Sequence, residues 1–256
     1  MINRDRSTSC SDEDKIRIDL EGTKPTSGKI KITNGSIELS YSNIVISNYK
    51  ILYNIEKNIY EATEILCTSK KVATLGNIPN GNYAFGDEYT CELGDNDAKT
   101  FFVLETNEDN VSLIMDKNID SNGKGTVSGN TVTWCKSESN NSCAADGAKE
   151  YLKNSTIRWS KLTNSQISLP TAQQLVNVSE KEFDGSNNVS GLLTWLSRNL
   201  NPNSGIYGYW TSTPDAINST FAFGVYYDGS LNHRYVLSEN SRGVRPVITI
   251  SKSQLG

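Results

Sequence analysis

Residues 207–250 read YGYWTSTPDAINSTFAFGVYYDGSLNHRYVLSENSRGVRPVITI, and the fold class turns on how this stretch is read. Apolar and aromatic runs at 207–211, 221–227, 231–237 and 243–250 are separated by short polar connections, the pattern of antiparallel strands. Asp228-Gly229, between the second and third runs, is a hairpin signal, because such tight turns need residues that tolerate positive φ. Alternation within 221–227 puts Phe223, Val225 and Tyr227 on one face and Gly224 and Tyr226 on the other. The first set is assigned to the core. Trp210 is expected to fill the core with its indole N–H satisfied locally. Arg245, flanked by apolar residues, is expected to pair with a carboxylate, since an unpaired buried charge is costly.

Moving back along the chain, helix signals are confined to the middle. Residues 145–153 can start on Asp146 and place Ala148, Tyr151 and Leu152 on one face. Pro170-Thr171 is a plausible N-terminal cap region for 171–176, and 191–200 carries Leu192, Leu193, Trp195, Leu196 and Leu200 at helical spacing. Before these lies a run of strands at 88–93, 100–105 and 111–115, then a long loop at 116–129 and a short strand at 131–135. The first part alternates apolar and charged residues at 15–20, 29–32 and 36–39, with Asn34-Gly35 as a two-residue hairpin turn, and continues through 44–46 and 49–53. Strands, then helices, then strands predict an α+β class rather than a parallel α/β sheet.

Totals exclude several functions. The 256 residues carry a net charge of −4, and no cluster of Lys or Arg is dense enough to follow a phosphate backbone, so nucleic acid is not an expected partner. No stretch approaches the roughly 20 apolar residues of a membrane span. Residues 1–10 lack the apolar core of a signal peptide, which leaves a cytosolic protein or a fragment whose targeting segment has been removed. Cysteine usage favours the second. Cys10, Cys67, Cys91, Cys135 and Cys143 fit no zinc spacing, and Cys135 and Cys143 bracket a short polar loop suited to a disulfide, as secreted proteins keep. Pairing among the other three is open: Cys67 with Cys91 is one arrangement, with Cys10 as the spare thiol.

No catalytic motif is present. The chain has one histidine, His233, which excludes sites built on several imidazoles, and there is no G-x-S-x-G elbow, P-loop, G-x-G-x-x-G or H-E-x-x-H. Asn118, Asp120, Asn122 and Gly123 echo an EF-hand loop, but its twelfth position would be Gly129, where a bidentate Glu is required. No metal and no cofactor are expected, and the chain is not expected to be an enzyme.

A resemblance adds to this reading. Leu169-Pro170-Thr171, then Tyr209-Trp210-Thr211-Ser212-Thr213, then the run from Phe221 to Gly229, and last Gly243-Val244-Arg245-Pro246-Val247-Ile248, occur in that order. The series resembles C-type-lectin-fold domains related to formylglycine-generating enzymes, in the bacterial paralogous branch that shares its fold with proteins diversified by retroelements. Phe101-Phe102-Val103-Leu104 and Leu113-Ile114-Met115-Asp116 match the start of such domains, so the resemblance covers about residues 87–250. Glu21-Gly22-Thr23-Lys24-Pro25 is similar to the head of pilin-like surface proteins, in which a helix, absent from this sequence, anchors the chain in the membrane.

The resemblance implies residues 1–66 as a β-rich, pilin-like region and 67–256 as a C-type-lectin-like domain, in which 243–250 lies beside 100–105. The catalytic cysteines of the generating enzymes have no counterpart, because no cysteine follows Cys143. The scaffold without the chemistry implies an extracellular or surface-displayed adhesion module that binds a protein or glycan. In the diversified relatives the contacts come from the stretch before the last strand. Carried over, the contact residues are Asp215, Asn218, Tyr226, Asn232, His233, Arg234, Tyr235, Ser238, Glu239, Asn240 and Arg242. The alternative is a structural pilin-like subunit, with other such subunits as its partners, whose lectin-like domain decorates a filament.

Overall fold

The computed structural model describes residues 31–33, 36–38, 49–54, 59–70, 83–127, 131–200, 202–205, 207–238 and 242–256. They divide into two compact units, Met1–Thr68 with Ser253–Gly256, and Ser69–Lys252. Nothing in the described residues bears on the expected strands at 15–20 and 44–46, which lie outside them.

The first unit contains two hairpins. Strands β1 (Lys31–Thr33) and β2 (Ser36–Glu38) pair antiparallel with Thr33 opposite Ser36, and the expected Asn34-Gly35 turn lies outside the described residues. Strands β3 (Tyr49–Asn54) and β4 (Ile59–Glu64) pair along their whole length. The chain end returns to this unit, where Leu66 donates its amide to the Gln254 carbonyl and Cys67 bridges to Leu255 in parallel. Strand β5 (Cys67–Ser69) then crosses into the second unit.

The second unit is α+β. Strands β6 (Glu88–Glu92), β7 (Ala98–Thr106) and β8 (Asn110–Met115) form a consecutive antiparallel meander. Phe101, Phe102, Val103 and Leu104 of β7 are all buried, the continuous apolar run expected of a strand covered on both faces. Residues 118–126 are a tiny hairpin, β9 (Asn118–Ile119) with β10 (Gly125–Thr126), rather than a featureless loop. The Asp120 carboxylate closes its turn by accepting the amides of Asn122 and Lys124. Helix α1 (Asp146–Ser155) follows, with Ala148 and Leu152 buried; Asp146 accepts the Lys136 amide instead of capping the helix. Strand β11 (Ile167–Ser168) leads to α2 (Ala172–Val178), which Thr171 caps through a reciprocal bond pair with Gln174. The apolar 191–200 segment forms only one helical turn, α3 (Thr194–Ser197), because Gly191 and Asn199 both sit at positive φ and limit it on either side.

The last part builds a second sheet, ordered β14-β13-β12-β15, from β12 (Gly208–Pro214), β13 (Phe221–Tyr226), β14 (Leu231–Tyr235) and β15 (Arg242–Gly243). The chain then breaks at Val244-Arg245-Pro246 and joins the first sheet as β16 (Val247–Ser251). There it lies between β11 and β8, so the expected direct pairing of 243–250 with 100–105 is replaced by pairing of 247–251 with 110–114. The expected strand at 131–135 does not form; residues 134–135 are a bend, and Val132 and Trp134 donate their amides to the carbonyls of Arg242 and Val236. One core joins the layers: Phe102, Leu104, Ile114 and Val247 of the first sheet, Tyr209, Phe223, Val225 and Leu231 of the second, and Leu175 and Val176 of α2.

Cys135 and Cys143 form a disulfide, and Cys67 and Cys91 are buried and disulfide-bonded as well. Such bonds mark an oxidising environment. Among the described residues no helix is long and apolar enough to cross a membrane.

Candidate ligand-binding site

A cavity lies along β14, which contributes Asn232, His233, Arg234 and Tyr235 to it. Residues opposite one another on paired strands share a face. Phe223 stands opposite His233 and Val225 opposite Leu231, and Phe223, Val225 and Leu231 are fully buried in the core. On the other face, Gly224 stands between Trp210 on β12 and Asn232 on β14. Gly208 of β12 is in turn opposite Arg242 of β15. A row of Asn232, Gly224 and Trp210 thus ends beside an arginine, and the missing side chain at Gly224 leaves room for it. A Cβ on Gly224 would stand 2.4 Å from Arg242 Nε. The guanidinium lies 4.9 Å from the Trp210 ring centre and 5.8 Å from that of Tyr226.

Around it opens a cavity of about 1060 Å³, walled by Tyr207, Tyr226, Asn188, Asn232, His233, Arg234, Tyr235, Ser238, Phe221 and Arg242. Tyr207 and Tyr226 stack with centroids 5.9 Å apart and planes 13° from parallel. His233 stacks on Phe221 at 5.1 Å. Its Nδ1 is 2.7 Å from Asp215 Oδ2, without the geometry of a hydrogen bond.

Arg242 is the electrostatic centre. It is 1% exposed, yet Nε and Nη1 have no partner and Nη2 reaches only the Asn232 carbonyl, at 3.4 Å. Burial, and to a lesser degree the nearby positive charge of Arg234, bring its pKa down from the ordinary arginine value to about 9. Among the described residues no carboxylate lines the cavity.

Of the contact residues expected from sequence, Tyr226, Asn232, His233, Arg234, Tyr235, Ser238 and Arg242 line this cavity together. Asp215 and Asn218 do not. Asp215 is buried behind His233 and accepts the amides of Ile217 and Asn218, while Asn218 caps the Thr220 amide. Glu239 and Asn240 lie outside the described residues. Tyr227, assigned to the core by alternation, is instead 44% exposed, because β13 ends at Tyr226 and the turn begins there. Tyr207 and Asn188 were not expected. Tyr207 precedes β12 and lies level with the turn after β13, its carbonyl accepting the Tyr227 amide. Asn188 belongs to a polar loop before α3 and accepts the His233 amide.

Trp210 is fully buried with its indole N–H on the Val132 carbonyl at 2.8 Å, as expected. Arg245 is not paired with a carboxylate. Its Nη1 and Nη2 donate to the carbonyls of Leu196 and Arg198 at 2.9 and 2.8 Å, because the short α3 ends there with free carbonyls. No family model, curated protein or solved structure matches this chain.

Proposed function

We propose that the chain is a surface-displayed recognition module with a C-type-lectin-like fold, binding a protein or glycan at the cavity beside β14 and catalysing no reaction. The observation that carries this reading is convergence: Tyr226, Asn232, His233, Arg234, Tyr235, Ser238 and Arg242, seven of the expected contact residues, line a single concavity. Its wall supports recognition chemistry. Tyr207, Tyr226 and Tyr235 offer rigid contact area at low entropic cost, and Asn188, Asn232 and Ser238 offer adaptable hydrogen bonds. The disulfides agree with display outside the cell.

A glycan and host-protein array, run with and without calcium, tests this. The control is the quadruple variant Tyr226→Ala, His233→Ala, Arg234→Ala and Tyr235→Ala. A hit on the wild type that the variant loses is the expected result. Silence from folded protein, or a hit the variant keeps, would sink the reading in favour of a filament subunit.

A further inference from the structure

Lys99, Arg242 and Arg245 are the buried cations among the described residues. Lys99 is neutralised by Asp95 at 2.5 Å and also meets Asp97. Arg245 gives two hydrogen bonds to carbonyls. Arg242 has, among the described residues, no ion pair and only one long hydrogen bond, from Nη2 to the Asn232 carbonyl, although a buried guanidinium with so few partners is among the costlier arrangements a fold can hold. Its two aromatic neighbours supply attraction but no hydrogen-bond acceptor. Arg234, on the same wall, makes the local charge more positive, in a chain whose net charge is −4. Among the described residues the fold holds two guanidiniums on one wall without an acidic partner, which leaves room for the counter-charge of a ligand.

The rest of the cavity says what carries that charge. At about 1060 Å³ it is the size of a small-molecule cleft, not the broad flat patch of a protein interface. The stacked Tyr207 and Tyr226 offer ring faces of the kind that pack on the C–H faces of sugars, and amide and hydroxyl groups of Asn188, Asn232 and Ser238 match sugar hydroxyls. We propose that the cavity takes an acidic saccharide, its carboxylate or sulfate seated against Arg242, with Arg234 as the second cation. This deepens the recognition reading and rests on it.

The test measures binding of glucuronic-acid- and sialic-acid-terminated glycans, sulfated glycans, their neutral parents, and peptides ending in a free carboxylate. It uses the wild type, Arg242→Met and Arg234→Gln, with melting temperature followed in parallel. The acidic saccharides should bind and their neutral parents should not, with the carboxylated and sulfated arms showing which oxyanion is preferred. Arg242→Met should weaken binding about tenfold to a hundredfold, the worth of a charge-assisted contact. Its melting temperature should hold or rise by ~2–4 °C, because an unpaired buried charge is exchanged for an apolar chain of similar volume. A purely structural arginine would lower it. Arg234 is exposed, so Arg234→Gln should fold normally and weaken the same ligands a few-fold; it decides the matter if Arg242→Met does not fold.

Equal binding of neutral parents, full affinity in Arg242→Met, a lowered melting temperature in that variant, or binding of the peptides alone would each overturn the acidic-saccharide assignment. A neutral or protein ligand lost in the quadruple variant but kept by Arg242→Met would overturn it while leaving the recognition reading intact. No binding of any kind by folded protein would remove both.

Discussion

Arg242 and Arg245 sit three positions apart, are each 1% exposed, and each lies over an aromatic ring, Trp210 at 4.9 Å and Tyr209 at 4.5 Å. Burial and ring contact therefore do not separate them. What separates them is the backbone they meet. Arg245 reaches the frayed end of α3, where Leu196 and Arg198 have carbonyls that no further helical turn can satisfy. Asp116, itself buried, adds attraction from a distance. Arg242 reaches a strand edge and a cavity, with only one long bond to a carbonyl and a like charge nearby. A buried arginine is thus a structural strut where acceptors converge on it, and a site in waiting where they do not.

The largest effect that would test this contrast is Arg245→Met. It strips two carbonyls of their donors, and should cost about 2–4 kcal/mol in chemical denaturation, against no loss for Arg242→Met. A loss under about 1 kcal/mol would erase the distinction between the two residues. Next is Gly224→Ala, whose added methyl must displace the Arg242 side chain from its cradle. Overpacking of this kind should cost about 1–3 kcal/mol, and ligand binding at the cavity should fall with it. An alanine variant unchanged in both measurements would mean that Arg242 does not depend on the open space at Gly224.

The smallest effect is in pH. The folded Arg242 has a pKa of about 9, below its unfolded value, so between the two the unfolded chain holds a proton that the native state has released. Stability contributed by this group therefore rises with pH above about 9, while below that value the penalty of the buried charge is present in full. The stability difference between Arg242→Met and the wild type should be constant from pH 6 to 8 and shrink as pH passes about 9. A difference that grows over that range would show the charge to be compensated within the protein.

Much of this was legible in the sequence, and unevenly so. The meander β6–β8 and the hairpin β13–β14 follow from alternation and turn chemistry, both local. The pole of the cavity nearest Tyr226 and His233 was found because its residues share one stretch of chain. Asn188 was not, because it arrives from a loop far away in sequence and only the fold brings it close to β14. The 191–200 segment misled for a related reason. Its leucines have helical spacing, but Leu192 and Leu196 are buried in the core cluster with only one helical turn formed, so packing rather than periodicity positions them. The partner of Arg245 was unreadable too, since a carbonyl freed by a short helix leaves no trace in residue type.

The segment 242–251 contributes β15 to one sheet and β16 to the other, with Arg245 tied to the end of α3 between them. Neither sheet of the second unit can then open alone without dragging on the same ten-residue clasp. The two behave as one cooperative block. In native-state hydrogen exchange the amides of β8 and β13 should share a single opening free energy, and a nick in the clasp should release both together.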